Sequence, residues 1–181
     1  MNRVALPDKV VAIADVLAGV PHAFGGAIAL AYWAEPRATI DIDVNVFVPP
    51  DRFAAVLEPL AALGVDTTGA AATIRADGQA RVMWDRTPVD LFFAYDAFHQ
   101  AADANAVRVP FADRTIRVLS AEHLTICKVV FDRPKDWVDI DAIITSGTPM
   151  SAAEVLRWVG RIAGDDDPRY ERIATVLSAT G

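Results

Sequence analysis

Residues 39–48 carry the most regular hydrophobic pattern of the chain, because aliphatic side chains occupy every second position. These side chains are Ile40, Ile42, Val44, Val46 and Val48. A period of two over this length predicts a β-strand with one fully aliphatic face. Since such a face must pack against a core, we expect this strand to lie in the middle of its sheet.

The segment before this strand predicts a helix, a short strand and a second helix. Residues 8–18 place their apolar side chains on one helical face, which is typical of an amphipathic helix. Residues 22–24 are a short strand candidate that leads into Gly25-Gly26, and residues 27–34 form an apolar helical run.

The rest of the chain predicts alternating strands and helices and then helices alone. The expected helices cover residues 51–63 and 96–104, and the expected strands cover 72–75, 80–84, 89–94, 107–109 and 114–118. Asp77-Gly78 is a hairpin signal between the first two of these strands. Four further helical patterns begin at Ser120, Pro134, Ser151 and Asp167.

This order of elements is typical of an α/β (α+β) fold. We expect a mixed-sheet α/β core over residues 1–119, and a helical C-terminal lobe packed on that core over residues 120–181. A chain of 181 residues is long enough to bury a sizeable core.

Composition narrows the class of protein. Apolar residues make up 53% and charged residues 23%, which is typical of a folded globular chain. The formal net charge of −7 argues against a general nucleic-acid coat. Residues 107–135 nevertheless carry a local basic excess, which is either a wall for RNA phosphates or scattered surface charge.

The first residues lack a signal-peptide pattern and no window reaches the ~20 apolar residues of a membrane span, so we expect a cytoplasmic protein without a membrane partner.

Two carboxylates lie on the polar side of the strand predicted over residues 39–48. Asp41 and Asp43 are two positions apart, so their side chains project from the same face, together with Thr39. Either this face meets solvent, or it borders a cleft in which adjacent carboxylates need a cation. Oxygen ligands of this kind suit Mg²⁺ or Mn²⁺.

Two further features extend the hypothesis of a site at this strand. Gly25-Gly26 joins the short strand to an apolar helix, and such a turn lets a phosphate approach the backbone closely. Asp90 lies between apolar neighbours in a predicted strand, where an unpaired carboxylate is costly. It is either paired with an arginine such as Arg81 or Arg86, or it is a base that activates an attacking hydroxyl.

These motifs resemble the nucleotidyltransferase superfamily of the DNA polymerase β type. They are Gly25-Gly26, Arg37-x-Thr39-x-Asp41-x-Asp43 and Asp90. Residues 122–128 (EHLTICK) and 133–139 (RPKDWVD) narrow the resemblance to the AbiEii/MenT group, the toxins of bacterial toxin–antitoxin pairs. The resemblance covers roughly residues 22 to 144, which is most of the chain.

The resemblance implies a set of site residues. Asp41 and Asp43 are implied to hold a Mg²⁺ (or Mn²⁺) ion that bridges the NTP, and Asp90 is implied to be the third catalytic carboxylate. Lys128 is implied to contact the triphosphate and to act in catalysis. The implied nucleotide-binding residues are Gly25, Gly26, Arg37 and Lys128.

Lys128 also has a plainer interpretation. Asp132 lies four residues further along the same predicted helix, and this spacing favours a surface ion pair. Asp136 and Asp139 share a helix face, where they either orient Lys128 or Lys135 or simply meet solvent.

The resemblance implies an enzyme, a metal-dependent nucleotidyltransferase that moves an NMP unit from an NTP to an acceptor. The acceptor we expect is the 3′ end of tRNA, so that the protein is a toxin that blocks translation and has an antitoxin protein as its partner. Two alternatives stay open: transfer to a small molecule or a protein hydroxyl, and a nucleotide-binding module without turnover. Thr39, the hydroxyl nearest the expected metal, is a candidate for regulatory modification.

Overall fold

The computed structural model describes residues 4–179 of the chain. Contacts among these residues separate two compact units. The first unit holds the described residues up to Ile28 together with Ala38–Val118. The second unit holds Ala29–Arg37 and the described residues from Leu119 onward.

A mixed sheet forms the centre of the first unit. Within residues 4–179 its six strands are β1 (His22–Phe24), β2 (Ile42–Val46), β3 (Gln79–Trp84), β4 (Thr87–Phe93), β5 (Val107–Phe111) and β6 (Arg114–Val118). Their order across the sheet is β3-β4-β2-β1-β6-β5, which places β2 and β1 in the middle. Strand β2 is antiparallel to β1 and parallel to β4, whereas β3–β4 and β5–β6 are antiparallel pairs. The predicted mixed-sheet α/β class is therefore confirmed.

The strand predicted over residues 39–48 is shorter in the structure. Ile42, Val44 and Val46 are fully buried, as the pattern predicts, but Ile40 is 78% exposed. The hydroxyl of Thr39 donates to the carboxylate and the carbonyl of Asp41, and such local bonds compete with a strand ladder. The prediction that Ile40 faces the core was therefore wrong.

The first unit also contains most of the helices that precede residue 118. They are α1 (Leu6–Val16), α2 (Gly26–Leu30), which runs into the second unit, α3 (Ala54–Ala62), preceded by a 3₁₀ turn at Pro50–Arg52, α4 (Ala70–Asp77) and α5 (Ala97–Ala104). Helix α1 packs against α3 and β6, and α4 packs against β3.

The strand predicted at residues 72–75 was wrong, since this segment lies in α4. Gly78 is not in a hairpin turn but caps the helix in the left-handed conformation, with its N–H bonded to the carbonyl of Ile74 at 2.8 Å. An Asp-Gly pair is typical of hairpins and helix ends alike, and the alanines before it favour a helix. The hairpin turn lies instead at Asp85-Arg86, between β3 and β4.

Four helices make up most of the second unit within the described residues. They are α6 (Ala121–Phe131), α7 (Pro134–Thr145), α8 (Ala152–Ala163) and α9 (Pro168–Ser178). Ser120, Ser151 and Asp167 cap α6, α8 and α9 through their side chains, which is why these starts could be predicted. Helix α6 packs against the other three. Between residues 4 and 179, no helix is both long and apolar enough to cross a membrane.

Candidate functional site

Three charged side chains form a row across neighbouring strands of the first unit. Asp43 on β2 is directly opposite Asp90 on β4, and Asp90 is directly opposite Arg81 on β3. Their strand neighbours Val44, Val89 and Val82 are buried, so the row lies on the other, more polar face of the sheet. We call Asp43, Asp90 and Asp41, which precedes β2, the aspartate cluster.

The turn after β1 fits closely against Asp43. The N–H of Gly25 donates to the backbone carbonyl of Asp43 at 2.9 Å. Gly26 has a φ of +48°, and a Cβ added there would lie 1.8 Å from the Oδ2 atom of Asp43. A residue with any side chain at position 26 therefore cannot coexist with this position of the Asp43 carboxylate.

Thr39 and Asp41 bond to one another beside the start of β2. The hydroxyl of Thr39 donates to the carboxylate of Asp41 through a short hydrogen bond and approaches its carbonyl at 3.3 Å. Both residues are half-buried. The Asp41 carboxylate thus lies next to the hydroxyl that the sequence singled out as a modification candidate.

Asp90 forms a bidentate ion pair with Arg81. The Nε and Nη2 atoms of Arg81 lie 2.7 Å from Oδ1 and 2.7 Å from Oδ2 of Asp90. Side-chain exposure is 60% for Arg81 and 15% for Asp90. Hydrogen bonding to Asp90 raises the pKa of Arg81, and attraction to Asp41 and Asp43 raises it further. Of the two arginines considered for Asp90 from the sequence, the partner is Arg81, and the role of Asp90 as a base stays a prediction.

The aspartate cluster can supply only part of the ligand shell of a divalent cation. Across residues 4–179 there is no group of three or more His, Cys, Asp or Glu side chains arranged to hold a metal ion. Asp41 and Asp43 provide hard carboxylate oxygens, and Gly26 leaves the space in which the Asp43 carboxylate sits. Mg²⁺ commonly takes one or two protein carboxylates and completes its shell with phosphate oxygens and water. The residues present fit that kind of site.

In the second unit, Lys128 lies in a buried group of charges. It is 4% exposed, and its Nζ is 2.5 Å from Oδ2 of Asp139 and 3.7 Å from Oδ1 of Asp136. Asp132 instead accepts a hydrogen bond from the indole of Trp137 at 2.6 Å. The ammonium of Lys128 is therefore held by Asp139 and Asp136. This positive charge is one reason why two carboxylates on α7 can be buried.

Asp139 also joins Lys128 to Arg37. Arg37 donates from Nε and Nη2 to the two oxygens of Asp139 at 2.8 and 2.9 Å. Burial by itself raises the pKa of Asp139, but hydrogen bonds from Arg37 and Lys128 outweigh it and hold the pKa below its usual value. Asp136 similarly accepts from Arg133 at 2.6 Å. We call Arg37, Lys128, Arg133, Asp136 and Asp139 the charged network.

The basic excess over residues 107–135 is largely paired with carboxylates. Arg117 donates to Asp103 at 2.8 Å, and Arg114 lies 3.8 Å from the carboxylates of both Asp15 and Asp113. Lys128 and Arg133 belong to the charged network. This pairing leaves these four basic side chains little free positive charge for RNA phosphates.

The sequence analysis missed Lys9, which is 0% exposed. Its Nζ donates to the carbonyl of Trp84 at 2.7 Å, to Asp85 at 3.1 Å and to the hydroxyl of Thr87 at 3.2 Å. Lys9 lies four residues before the buried Ile13, and this helical spacing was the available signal that it faces inward. It ties α1 to the turn of the β3–β4 hairpin, which carries Arg81 and Asp90.

The chain resembles known proteins in its family and in its fold. A family model described as nucleotidyl transferase AbiEii toxin, type IV TA system, matches residues 10–176. No curated protein sequence matches. The solution structure of the antibiotic-resistance factor ANT(2″)-Ia aligns with a TM-score of 0.62 at 16% identity, over 96% of this chain and 95% of that chain. The crystal structure of ANT(2″)-Ia in complex with adenylyl-2″-tobramycin aligns at 0.58 and 15%, over 94% and 98%. At these identities the likeness shows a shared fold.

Proposed function

Since the chain belongs to the AbiEii family, the nucleotidyl transferase toxins of type IV toxin–antitoxin systems, we propose that it transfers an NMP unit from an NTP to the 3′ end of tRNA and so blocks translation. The observation that carries the chemistry is the seating of the Asp43 carboxylate against Gly26, at the turn where β1 leads into α2. A carboxylate held this closely to a glycine turn is fixed where a phosphate can approach the same backbone.

The proposed mechanism assigns positions and charges to this chain's residues. Asp41 and Asp43 would hold Mg²⁺ (or Mn²⁺), and this ion would supply neutralisation of the phosphate charge and a lower pKa for the attacking hydroxyl. The acceptor hydroxyl forms a bond to the α-phosphorus of the NTP as the bond to pyrophosphate breaks. Asp90 would take the proton that the hydroxyl loses in this step.

The glycine pair and two basic side chains are proposed to bind the nucleotide. The N–H of Gly25 is used by the carbonyl of Asp43, so the proposed backbone contact to phosphate falls on Gly26. Arg37 and Lys128 are proposed to contact the NTP, with Lys128 offsetting developing phosphate charge. Asp139 and Asp136 orient them, because a long side chain held by carboxylates has few other conformations.

An antitoxin protein is the partner that the family indicates. A cytoplasmic location follows from the proposed tRNA acceptor, which is a cytoplasmic molecule.

Transfer to the hydroxyl of a small molecule, such as an aminoglycoside, is the second candidate. Two observations favour it. ANT(2″)-Ia, which has the same fold, was crystallised in complex with adenylyl-2″-tobramycin. Moreover, the basic side chains of residues 107–135 are largely paired with carboxylates and offer little free positive charge to RNA.

The experiment that tests the function incubates the protein with each α-labelled NTP and total cellular RNA, and sizes the labelled product. We expect label in RNA of tRNA length and a steep loss of labelling as salt rises, because an RNA acceptor releases counterions on binding. Asp41→Ala and Asp43→Ala should each lower transfer by about 10²-fold or more, since they remove metal ligands. Their melting curves should match that of the wild type.

Three results would contradict the proposal. Unchanged transfer in either aspartate variant would remove the metal site. Label that appears only on an added aminoglycoside, with weak salt dependence, would establish the second candidate. Calorimetry that detects NTP binding while no pyrophosphate is released would identify a binding module.

A further inference from the structure

The ion pair between Arg81 and Asp90 occupies the edge of the aspartate cluster. Asp90 is mostly buried, whereas the side chain of Arg81 is 60% exposed on the edge strand β3. Arg81 uses two of its five N–H donors on Asp90. One side of the guanidinium is therefore committed to the cluster, and the other side is open to a ligand from solvent.

Asp90 lies between two neighbours that act on it in opposite directions. Asp43 is directly opposite it on β2, at a cross-strand separation of about 5 Å, where like charges repel. Arg81 is directly opposite it on β3 and offsets this repulsion. A divalent cation held by Asp41 and Asp43 would offset the same repulsion from the other side. Arg81 and the cation therefore compete for the charge of Asp90.

We propose that Arg81 is the internal counter-ion of the aspartate cluster: without nucleotide it holds Asp90 away from the divalent cation, and when NTP binds its guanidinium transfers to the triphosphate and releases Asp90. This inference rests on the proposed function, because it takes Asp41 and Asp43 as the cation ligands. It assigns Arg81 two roles: positioning of Asp90 in the nucleotide-free protein, and a contact to phosphate in the nucleotide-bound protein.

Arginine is suited to such an exchange. A guanidinium forms the same bidentate geometry with a carboxylate and with a phosphate. The side chain of Arg81 projects from the outward face of β3, on which Gln79 and Met83 are also exposed. Because this side chain is exposed, it can leave Asp90 by a change of rotamer without a change in the sheet.

The first measurement is the affinity of the nucleotide-free, full-length protein for Mn²⁺, followed by electron paramagnetic resonance. Arg81→Gln should bind Mn²⁺ about tenfold more tightly, since it releases the Asp90 carboxylate that Arg81 holds and so adds an oxygen ligand for the ion. Arg86→Gln is the matched control, because it removes the same charge from the exposed turn of the same hairpin. It should change the affinity by less than about twofold.

The second measurement separates release of Asp90 from a general field effect. In an Asp90→Asn background, Arg81→Gln should tighten Mn²⁺ binding by no more than about twofold, because the carboxylate that Arg81 withholds is gone. If the tenfold effect persists in this background, Arg81 acts only through its field and the proposal is overturned.

The third measurement is the affinity for a non-hydrolysable NTP analogue in the presence of Mg²⁺. Arg81→Gln should weaken it by about tenfold, as expected for the loss of one guanidinium–phosphate contact. If Arg81 exchanges Asp90 for the triphosphate, Arg81→Gln should raise the affinity for Mn²⁺ and lower the affinity for the NTP analogue. A residue that only supports the fold would weaken both, and circular dichroism with Arg81→Lys as a conservative variant checks for that.

The outcomes distinguish this inference from the proposed function. Equal Mn²⁺ affinity in the wild type and in Arg81→Gln, with intact binding, overturns the role of Arg81 and leaves the metal site standing. No Mn²⁺ binding in any of the proteins overturns both. Weaker binding of both probes in a well-folded Arg81→Gln protein also overturns the exchange.

Discussion

At Gly26, the addition of a single methyl group should greatly reduce transfer activity while reducing stability only a little. In Gly26→Ala the new Cβ would lie 1.8 Å from Oδ2 of Asp43, so the carboxylate must move. We expect transfer to fall by about 10²-fold or more through the displaced metal ligand. The φ of +48° adds about 1–2 kcal/mol of destabilisation, measured by urea unfolding.

Gly64→Ala is the control for this prediction. Gly64 also has a positive φ, +86°, but nothing lies within 4 Å of an added Cβ. It should lose a similar amount of stability and keep its transfer activity. Equal activity in the two variants would show that Asp43 does not need its position against Gly26.

Asp139 should make stability depend on pH in the acid range. Its pKa in the folded protein is lowered below the usual value, so it stabilises the fold above the unfolded-state pKa of about 3.9. That contribution is lost as the pH falls through the lower, folded-state pKa. Between about pH 5 and pH 3, the melting temperature of the wild type should therefore fall more steeply than that of Asp139→Asn.

Asp141→Asn is the matched control for the pH dependence, because Asp141 is an exposed aspartate on the same helix, α7. Its melting temperature should follow the slope of the wild type. If the melting temperature of Asp139→Asn depends on pH as steeply as that of the wild type and of Asp141→Asn, the hydrogen bonds from Arg37 and Lys128 to Asp139 do not contribute to stability.

At the scale of elements, the β3–β4 hairpin depends on a lysine from α1. Lys9 is completely buried and donates to three acceptors in or beside the hairpin turn. Lys9→Met should cost about 2–4 kcal/mol, because it leaves buried acceptors without a donor. Urea unfolding measures this loss. Lys135→Met, which removes an exposed lysine, should change stability by no more than about 0.5 kcal/mol.

If Lys9→Met loses no more stability than Lys135→Met, the hydrogen bonds between α1 and the hairpin turn contribute little to the free energy of unfolding. A large loss has a further consequence, since the hairpin carries Arg81 and Asp90. Mn²⁺ affinity in Lys9→Met should then change along with stability.

At the scale of the whole molecule, we expect regulation through Thr39. A phosphate on this hydroxyl would add about −1.5 to −2 charges next to Asp41, to which the hydroxyl is bonded. It would compete with the triphosphate for the metal and fill the site. Modification promoted by the antitoxin should therefore silence the enzyme, and Thr39→Val should fold normally and escape silencing.

Mass spectrometry of the protein co-expressed with its antitoxin is the direct measurement. Complete silencing of both the wild type and Thr39→Val, with Thr39 unmodified, would show that the antitoxin acts by occlusion.

The sequence by itself determined the local elements and the family. Alternating aliphatic residues predicted β2, and side-chain caps predicted the starts of α6, α8 and α9, because these signals depend on residues two to four positions apart. The motifs from Gly25-Gly26 to Asp90, taken together with residues 122–128 and 133–139, predicted the family, and the match of the family model over residues 10–176 confirms it.

Only the tertiary structure decided which charges meet. Asp90 faces Asp43 and Arg81 because of strand order and register. Asp139 joins Arg37, 102 residues away, and Lys9 meets Trp84, 75 residues away. A buried charge must find a partner, but many partners satisfy that need equally well, and the packing of distant elements selects one of them.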